Sequence, residues 1–331
     1  MSGSTVAVVG ATGAVGQELL ALLAERNFPV RELRLLASAR SAGKTMSFGG
    51  EEVGVQALGP GCFQGVDVAL FSAGGDVSRQ FAPQAVEAGA VVVDNSSAFR
   101  LDAEVPLVVP EVNGAAIADH QGILANPNCS TILLVMALAP LHRAAGLQAV
   151  CVSTYQAASG AGQRAMEELR SGLRGLLDGR PEPATVFPQP LAGNLFPHVD
   201  RFESSGYTRE EDKMLFETRR ILDLPELPVE ATCVRVPVER CHSEAVTVRL
   251  DKPLSVAQAR ELFATGDGLQ LQDEPDANVY PMPLPMTGTD AVAVGRVRPS
   301  RLFDPGLTFW LAGDQLRKGA ALNAVQIAER L

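Results

Sequence analysis

The stretch Thr5-Val6-Ala7-Val8-Val9-Gly10-Ala11-Thr12-Gly13-Ala14-Val15-Gly16 decides the fold of this chain. Residues 5–9 read as a short buried strand. Val15, Leu19, Leu20, Leu22 and Leu23 then recur at helical spacing. Between strand and helix lie three glycines spaced Gly-x-x-Gly-x-x-Gly. They let backbone N–H groups approach a pyrophosphate at the helix N-terminus. Gly10, Thr12, Gly13, Ala14 and Val15 are therefore expected to line a dinucleotide. The spacing departs from the usual Gly-x-Gly-x-x-Gly.

Working outward, residues 33–36 read as a second strand, followed by Ala37-Ser38-Ala39-Arg40-Ser41. A cofactor without a 2′-phosphate usually meets a carboxylate there. None is present. Arg40 can pair with a 2′-phosphate and Ser41 can donate to it, so NADP is expected rather than NAD. Residues 66–72 and 90–94 read as further strands, with a helix over 77–88. Alternating strands and helices imply a parallel sheet covered on both faces.

The pattern changes after Cys129. Helices are expected over 132–141, 166–177 and 208–222, the last opened by a Thr208/Glu211 capping box. Residues 148–155, 231–236 and 245–250 read as strands, and 180–197 as a proline-rich loop. A last helix over 316–330 could return to the first domain. The expected fold class is α/β: a Rossmann-type dinucleotide-binding domain plus an α+β catalytic and dimerisation domain with a mixed or antiparallel sheet. The expected boundaries are 1–127 plus 311–331 for the first and 128–310 for the second.

A length of 331 residues suits two domains, and 46% hydrophobic residues suffice for their cores. A net charge of −10 argues against nucleic acid, which needs a basic surface. No apolar run approaches the roughly 18 residues of a membrane span, and residues 1–5 carry no basic signal-peptide region. The cysteines are five, an odd number at irregular spacing, which suggests free thiols in a reducing cytoplasm. Ligand spacing for a metal site is lacking, so no metal is expected.

Asn126-Pro127-Asn128-Cys129-Ser130 puts one of those thiols where a polar turn gives way to an apolar helix. Asn128 is expected to cap the helix. The N–H groups and dipole of its first turn favour an anion, and hence a thiolate at Cys129. A thiolate beside a dinucleotide fold suggests an oxidoreductase working through a thioester.

Further motifs converge. They include Ser72-Ala-Gly-Gly75, Asp94-Asn-Ser-Ser-Ala-Phe-Arg100, Val108-Val-Pro-Glu-Val-Asn113 and Thr154-Tyr-Gln-Ala-Ala-Ser-Gly-Ala-Gly162. Later come Glu210-Glu-Asp-Lys213, Arg235-Val-Pro, His242-Ser-Glu-Ala-Val246 and Gly313-Asp-Gln-Leu316. With the two glycine- and cysteine-bearing stretches, they resemble the aspartate-β-semialdehyde dehydrogenase family over essentially the whole chain. The resemblance implies interconversion of aspartate 4-semialdehyde, inorganic phosphate and NADP⁺ with 4-aspartyl phosphate and NADPH. It also implies a cytoplasmic homodimer or dimer of dimers serving lysine, threonine and methionine synthesis.

Roles follow from the same resemblance. Cys129 matches the nucleophile, His242 the acid/base that takes the thiol proton, and Gln156 the residue orienting substrate. Arg235 matches the fork that grips the substrate α-carboxylate, which suits guanidinium geometry. Glu210 matches the partner of the substrate ammonium, and Arg100 and Lys213 the phosphate-binding cations. Ser159, Gly160 and Gln315 match residues near the nicotinamide. Cys241 departs from the family, which usually has glycine or alanine before the histidine. Two alternatives remain at this point: a related acyl-phosphate reductase, and a non-catalytic paralogue.

Overall fold

In the computed structural model, which describes residues 3–331, the chain forms two compact units. One runs to Asn128 and resumes at Ala320, ending at Leu331; the other is Cys129–Gly319. The first unit begins with β1 (Ser4–Val9), α1 (Ala14–Glu25), β2 (Val30–Ala37), β3 (Thr45–Phe48) and β4 (Glu51–Ala57). It continues with β5 (Val68–Phe71), α2 (Gly75–Glu87), β6 (Val91–Asp94), α3 (Pro110–Asn113) and β7 (Ile123–Ala125).

These strands make a seven-stranded sheet in the order β3-β4-β2-β1-β5-β6-β7. All pairs are parallel except the edge pair β3/β4. The chain winds from β1 to the β2 side, then crosses to β5 on the other side. The topological switch therefore falls between β1 and β5, where ligands of such sheets bind at the strand carboxyl ends. Gly10 sits at that point with φ +84°, and a Cβ on it would come 2.9 Å from the Ser72 carbonyl carbon. Only glycine suits both conditions.

Strand alternation explains the two cores. Val6 and Val8 pack with Leu19, Leu22 and Leu23 of α1 on one face. Ala7 and Val9 pack with Phe71 and with Ala82 and Ala85 of α2 on the other. The β3/β4 hairpin escapes the sequence reading because much of it is exposed, so apolar alternation is weak. Its signal is Gly49-Gly50, whose φ values of +59° and +88° build the turn.

The second unit holds α4 (Cys129–Ala145), β8 (Leu147–Gln156), α5 (Gln163–Leu177), α6 (Arg209–Leu222), β9 (Val229–Arg235) and β10 (His242–Leu250). Then follow α7 (Val256–Thr265), β11 (Leu269–Leu271), α8 (Pro283–Met286), β12 (Val292–Pro299) and β13 (Gly306–Gly313). The six strands run β11-β12-β13-β10-β8-β9. Pairs β8/β9 and β11/β12 are parallel and the rest antiparallel, so the sheet is mixed. α4 lies against β8, β10, β12 and β13, flanked by α6 and α7. It is buried all round from Ser130 to Ala139, as a core helix must be apolar on every side.

The last segment differs from expectation. Residues 311–313 finish β13, held in the second sheet by the buried Leu307, Phe309 and Leu311. A π-helical turn, Arg317–Ala321, follows, and the regular helix is only α9 (Leu322–Ala328). The chain thus rejoins the first unit at Ala320 rather than near 311. There α9 packs on α1, α3 and β6. Among the described residues no helix is long and apolar enough to cross a membrane.

Within α9, Asn323 is fully buried. Its Nδ2 donates to Val108 O at 2.9 Å and to Asn126 Oδ1 at 2.7 Å. Asn126 Nδ2 in turn donates to Ala320 O at 3.4 Å. The bonds tie the turn before Cys129 to α9. Asn323→Ala leaves buried acceptors unpaired, so it should cost about 2–3 kcal/mol. Urea midpoints measure this; an unchanged midpoint would remove Asn323 from the scaffold.

Candidate active site

Register across three strands builds the site. Gln156 on β8 pairs with Arg235 on β9. Ser243 pairs with Tyr155, which sets His242 of β10 beside Gln156. Arg235, Gln156 and His242 thus form one row, and all three are buried. α4 begins at Cys129, the residue after Asn128, and carries its Sγ to 3.5 Å from His242 Nε2. α6 brings up Glu210 and Lys213.

The His242 ring is fixed by its other nitrogen. The Ala157 backbone N–H donates to Nδ1 at 3.1 Å. A backbone N–H only donates, so Nδ1 keeps its lone pair and the proton of the neutral ring is on Nε2. That N–H faces the Cys129 sulfur. Burial, with Arg235 nearby, lowers the His242 pKa to about 3. In this tautomer the ring points an N–H, rather than a lone pair, at the sulfur of Cys129.

Arg235 is held on several sides. Its Nη1 donates to Ala157 O at 2.6 Å, and its Cζ lies 5.6 Å from the centroid of the Phe187 ring. Its backbone exchanges two hydrogen bonds with Phe196. Gly160 borders it: a Cβ there would come 3.1 Å from Arg235 Nη1 and 3.2 Å from His242 Cε1. Gln156 Nε2 donates at 3.3 Å to both Thr154 Oγ1 and Glu210 Oε1.

The capping box of α6 is present, with Thr208 N donating to Glu211 Oε2 at 2.7 Å. Glu211 therefore serves the helix end, and Glu210 turns inward. Glu210 Oε2 accepts from Lys213 Nζ at 3.0 Å, and Asp200 Oδ2 accepts from the same Nζ at 2.7 Å.

Gln315 uses both ends of its amide. Oε1 accepts from the Cys241 N–H at 2.9 Å, and Nε2 donates to Ser159 Oγ. It thereby fixes the start of β10 and the turn at Ser159. Cys241 itself has φ +76°, in the left-handed region that favours glycine. Burial pushes its thiol up to about 12, so it stays protonated. Burial likewise raises the thiols of Cys233 and Cys151. Gly319 borders Cys129, since a Cβ on it would lie 3.1 Å from Cys129 Cβ.

The other expected residues belong to the first unit. Gly13 precedes α1 with no side chain capping the helix and no acidic residue in its first turn. Those first N–H groups suit a pyrophosphate. A Cβ on Gly16 would meet Gly10 O at 2.3 Å, so glycine is needed where helix and strand close up. Thr12 Oγ1 donates to Ser41 Oγ at 3.4 Å. Ser41 and the exposed Arg40 lie on the turn Ala39–Ser41 after β2, without a carboxylate, which fits a 2′-phosphate. Arg100 is buried and donates Nε to Asn126 O at 2.9 Å and Nη2 to Asn95 O at 2.8 Å.

Two family models match this chain. Residues 5–120 match the semialdehyde dehydrogenase NAD binding domain, and residues 138–318 the semialdehyde dehydrogenase dimerisation domain. An aspartate-semialdehyde dehydrogenase of Synechocystis sp. is 53% identical over 98% of this chain and 96% of its own. The chain belongs to the aspartate-semialdehyde dehydrogenase family. Among solved members, aspartate semialdehyde dehydrogenase II of Vibrio cholerae complexed with ASA has a TM-score of 0.97 at 46% identity, covering 99% of this chain and 98% of that one. The Candida albicans member solved with NADP has a TM-score of 0.74 at 26% identity, over 99% and 98%. The family's two-domain α/β architecture is the one described above.

Sequence reading missed Ala157, Phe187, Asp200 and Gly319. Ala157 acts through backbone atoms and Gly319 through lacking a Cβ, so side-chain chemistry gives no sign of them. Phe187 and Asp200 lie in loops remote in sequence from the groups they touch.

His242 has a clear thermodynamic signature. Its folded pKa of about 3 lies below the ordinary 6.5. Below pH 6.5 the unfolded chain binds a proton that the folded ring refuses, so this side chain's contribution falls as pH drops. The loss should approach roughly 1.4 kcal/mol per pH unit between pH 6 and 4. Urea unfolding of His242→Asn should show a correspondingly shallower acid slope than wild type. Equal slopes would mean the folded ring titrates normally.

Proposed function

We propose that this chain is an NADP-dependent phosphorylating aspartate-semialdehyde dehydrogenase that works through a thioester on Cys129. The observation that carries it is the Cys129 sulfur 3.5 Å from His242 Nε2, beside the buried row of Gln156 and Arg235. The names of the relatives support the substrate, and the open first turn of α1 supports the dinucleotide.

Cys129 attacks the aldehyde carbon as a thiolate, forming an Sγ–C bond. His242 Nε2–H, which had hydrogen-bonded the thiolate, keeps its proton and hydrogen-bonds the alkoxide of the hemithioacetal. The alkoxide lone pair re-forms the carbonyl as the C–H bond breaks and hydride leaves. NADP supplies the hydride acceptor when bound, or as NADPH the donor in the biosynthetic direction. The acyl group left on Cys129 is a thioester, still activated enough to pass to phosphate. A phosphate oxygen adds to the acyl carbon, the C–S bond breaks, and the thiolate returns to its hydrogen bond. In reverse, Cys129 displaces phosphate from 4-aspartyl phosphate.

Around this sulfur, Arg235 grips the α-carboxylate and Glu210 the α-ammonium. Gln156 orients the chain between them. Lys213 and Arg100 serve phosphate, and Ser159, Gly160 and Gln315 form the nicotinamide side. Arg40 and Ser41 read the 2′-phosphate. The protein acts as a cytoplasmic homodimer, or a dimer of dimers, in lysine (through diaminopimelate), threonine and methionine synthesis.

A phosphate-dependent assay with aspartate 4-semialdehyde and NADP⁺, read as reduced nicotinamide, tests the reading. Cys129→Ala should lower kcat by at least about 10⁴-fold. Normal turnover in that variant would end the thioester route. Arg40→Ala should raise KM for NADP⁺ about tenfold, the worth of one charged contact, and barely move that for NAD⁺. Equal changes would free Arg40 of any part in reading the 2′-phosphate.

A further inference from the structure

Lys213 stands between two carboxylates. Its Nζ is 2.7 Å from Asp200 Oδ2 and 3.0 Å from Glu210 Oε2. Glu210 is a neighbour on the same helix. Asp200 comes from a strap anchored at both ends. At one end Phe196 bridges to Arg235 through two backbone bonds. At the other, Arg209 N donates to Arg201 O and Phe202 bridges to Thr208 at the start of α6. The His198 ring stacks on Phe202, with centroids 4.4 Å apart. Within the strap Asp200 adopts φ +65°, and its Oδ1 is taken by the Arg201 N–H at 2.9 Å. The carboxylate is thus built into position, with Oδ2 left for the lysine.

Each carboxylate oxygen of Glu210 already has a donor. Its Oε1 accepts from Gln156 and its Oε2 from Lys213. A substrate ammonium would have to share Oε2 with the like charge of Lys213. With Glu210 as its one carboxylate, Lys213 would hold Oε2 tightly, as an i,i+3 pair shielded from water. A second carboxylate gives the ammonium somewhere else to go. Burial presses Lys213 towards neutrality, but Glu210 and Asp200 outweigh it and keep its pKa above the ordinary lysine value.

We infer that Asp200 is a positioning residue that draws Lys213 off Glu210, leaving Glu210 a carboxylate oxygen for the substrate ammonium. Asp200 also competes with phosphate for Lys213. The two effects have opposite signs, which separates them from a brace that merely holds the loop. The ammonium and phosphate assignments rest on the proposed function; the three-way ion cluster does not.

Asp200→Asn tests this, since asparagine tolerates left-handed backbone and keeps the Arg201 contact. Its KM for aspartate 4-semialdehyde should rise at least about fivefold with kcat within about twofold, a ground-state effect. Calorimetric titration with inorganic phosphate should show binding about threefold tighter than in wild type, because one competing anion is gone. In a Lys213→Met background the same substitution should leave the semialdehyde KM unmoved. A semialdehyde KM that does not rise, phosphate binding that does not tighten, or an effect that persists without Lys213 would overturn the inference. Wild-type protein inert towards the semialdehyde would refute the functional reading instead. The phosphate titration needs no turnover and still decides the role of Asp200.

Discussion

A single backbone N–H governs the chemistry of this site. Because Ala157 donates to His242 Nδ1, the neutral imidazole presents a proton from Nε2 to the Cys129 sulfur. Protonating Nδ1 as well would set two donors against each other, and burial already opposes the charge. The imidazole is thereby kept neutral and aimed. Its aim depends on the neighbouring strands β8 and β10 and on Gly160, whose missing Cβ leaves room for both the imidazole and the guanidinium. Gln315 closes the arrangement by gripping the Cys241 N–H and the Ser159 hydroxyl together.

Such a row of polar groups is costly to bury, and the structure shows where the cost is contained. Arg235 spends Nη1 on a carbonyl, Gln156 spends its amide on Thr154 and Glu210, and Phe187 offers its ring to the guanidinium. One row behind, Glu244 is the exception. Both its carboxyl oxygens lack a hydrogen-bond partner, and burial raises its pKa well above the usual carboxylate range. Burial there favours the neutral acid. A charge there would favour the imidazolium form of His242, which the rest of the site disfavours.

Much of this was legible in the sequence, for physical reasons. The glycine loop and the Asn-Pro-Asn-Cys turn are short, and each glycine or cysteine acts near where it stands in the chain. The α6 cap was legible because its two bonds join residues three apart. The equivalent signal at Ser255 and Gln258, which caps α7, was equally local and went unread. What no local pattern could give is register. That Gln156 lies between Arg235 and His242 depends on pairing strands separated by long connections. The edge hairpin β3/β4 was hidden by its exposure. The boundary expected at 311 fell inside β13, a strand the sequence reading did not place.

The return of the chain through α9 has a consequence for biosynthesis on the ribosome. Leu322, Val325 and Ile327 belong to the same core as Val6, Leu19 and Leu35. They are translated only after the whole of the second unit. The nucleotide-binding sheet emerges early but must wait with an open groove, while the later unit can complete its own sheet first. The first unit therefore cannot complete its core until the last residues are made, unlike a domain whose chain is continuous. Until then, the apolar side chains that α9 covers, among them Val6 and Leu19, lack that covering.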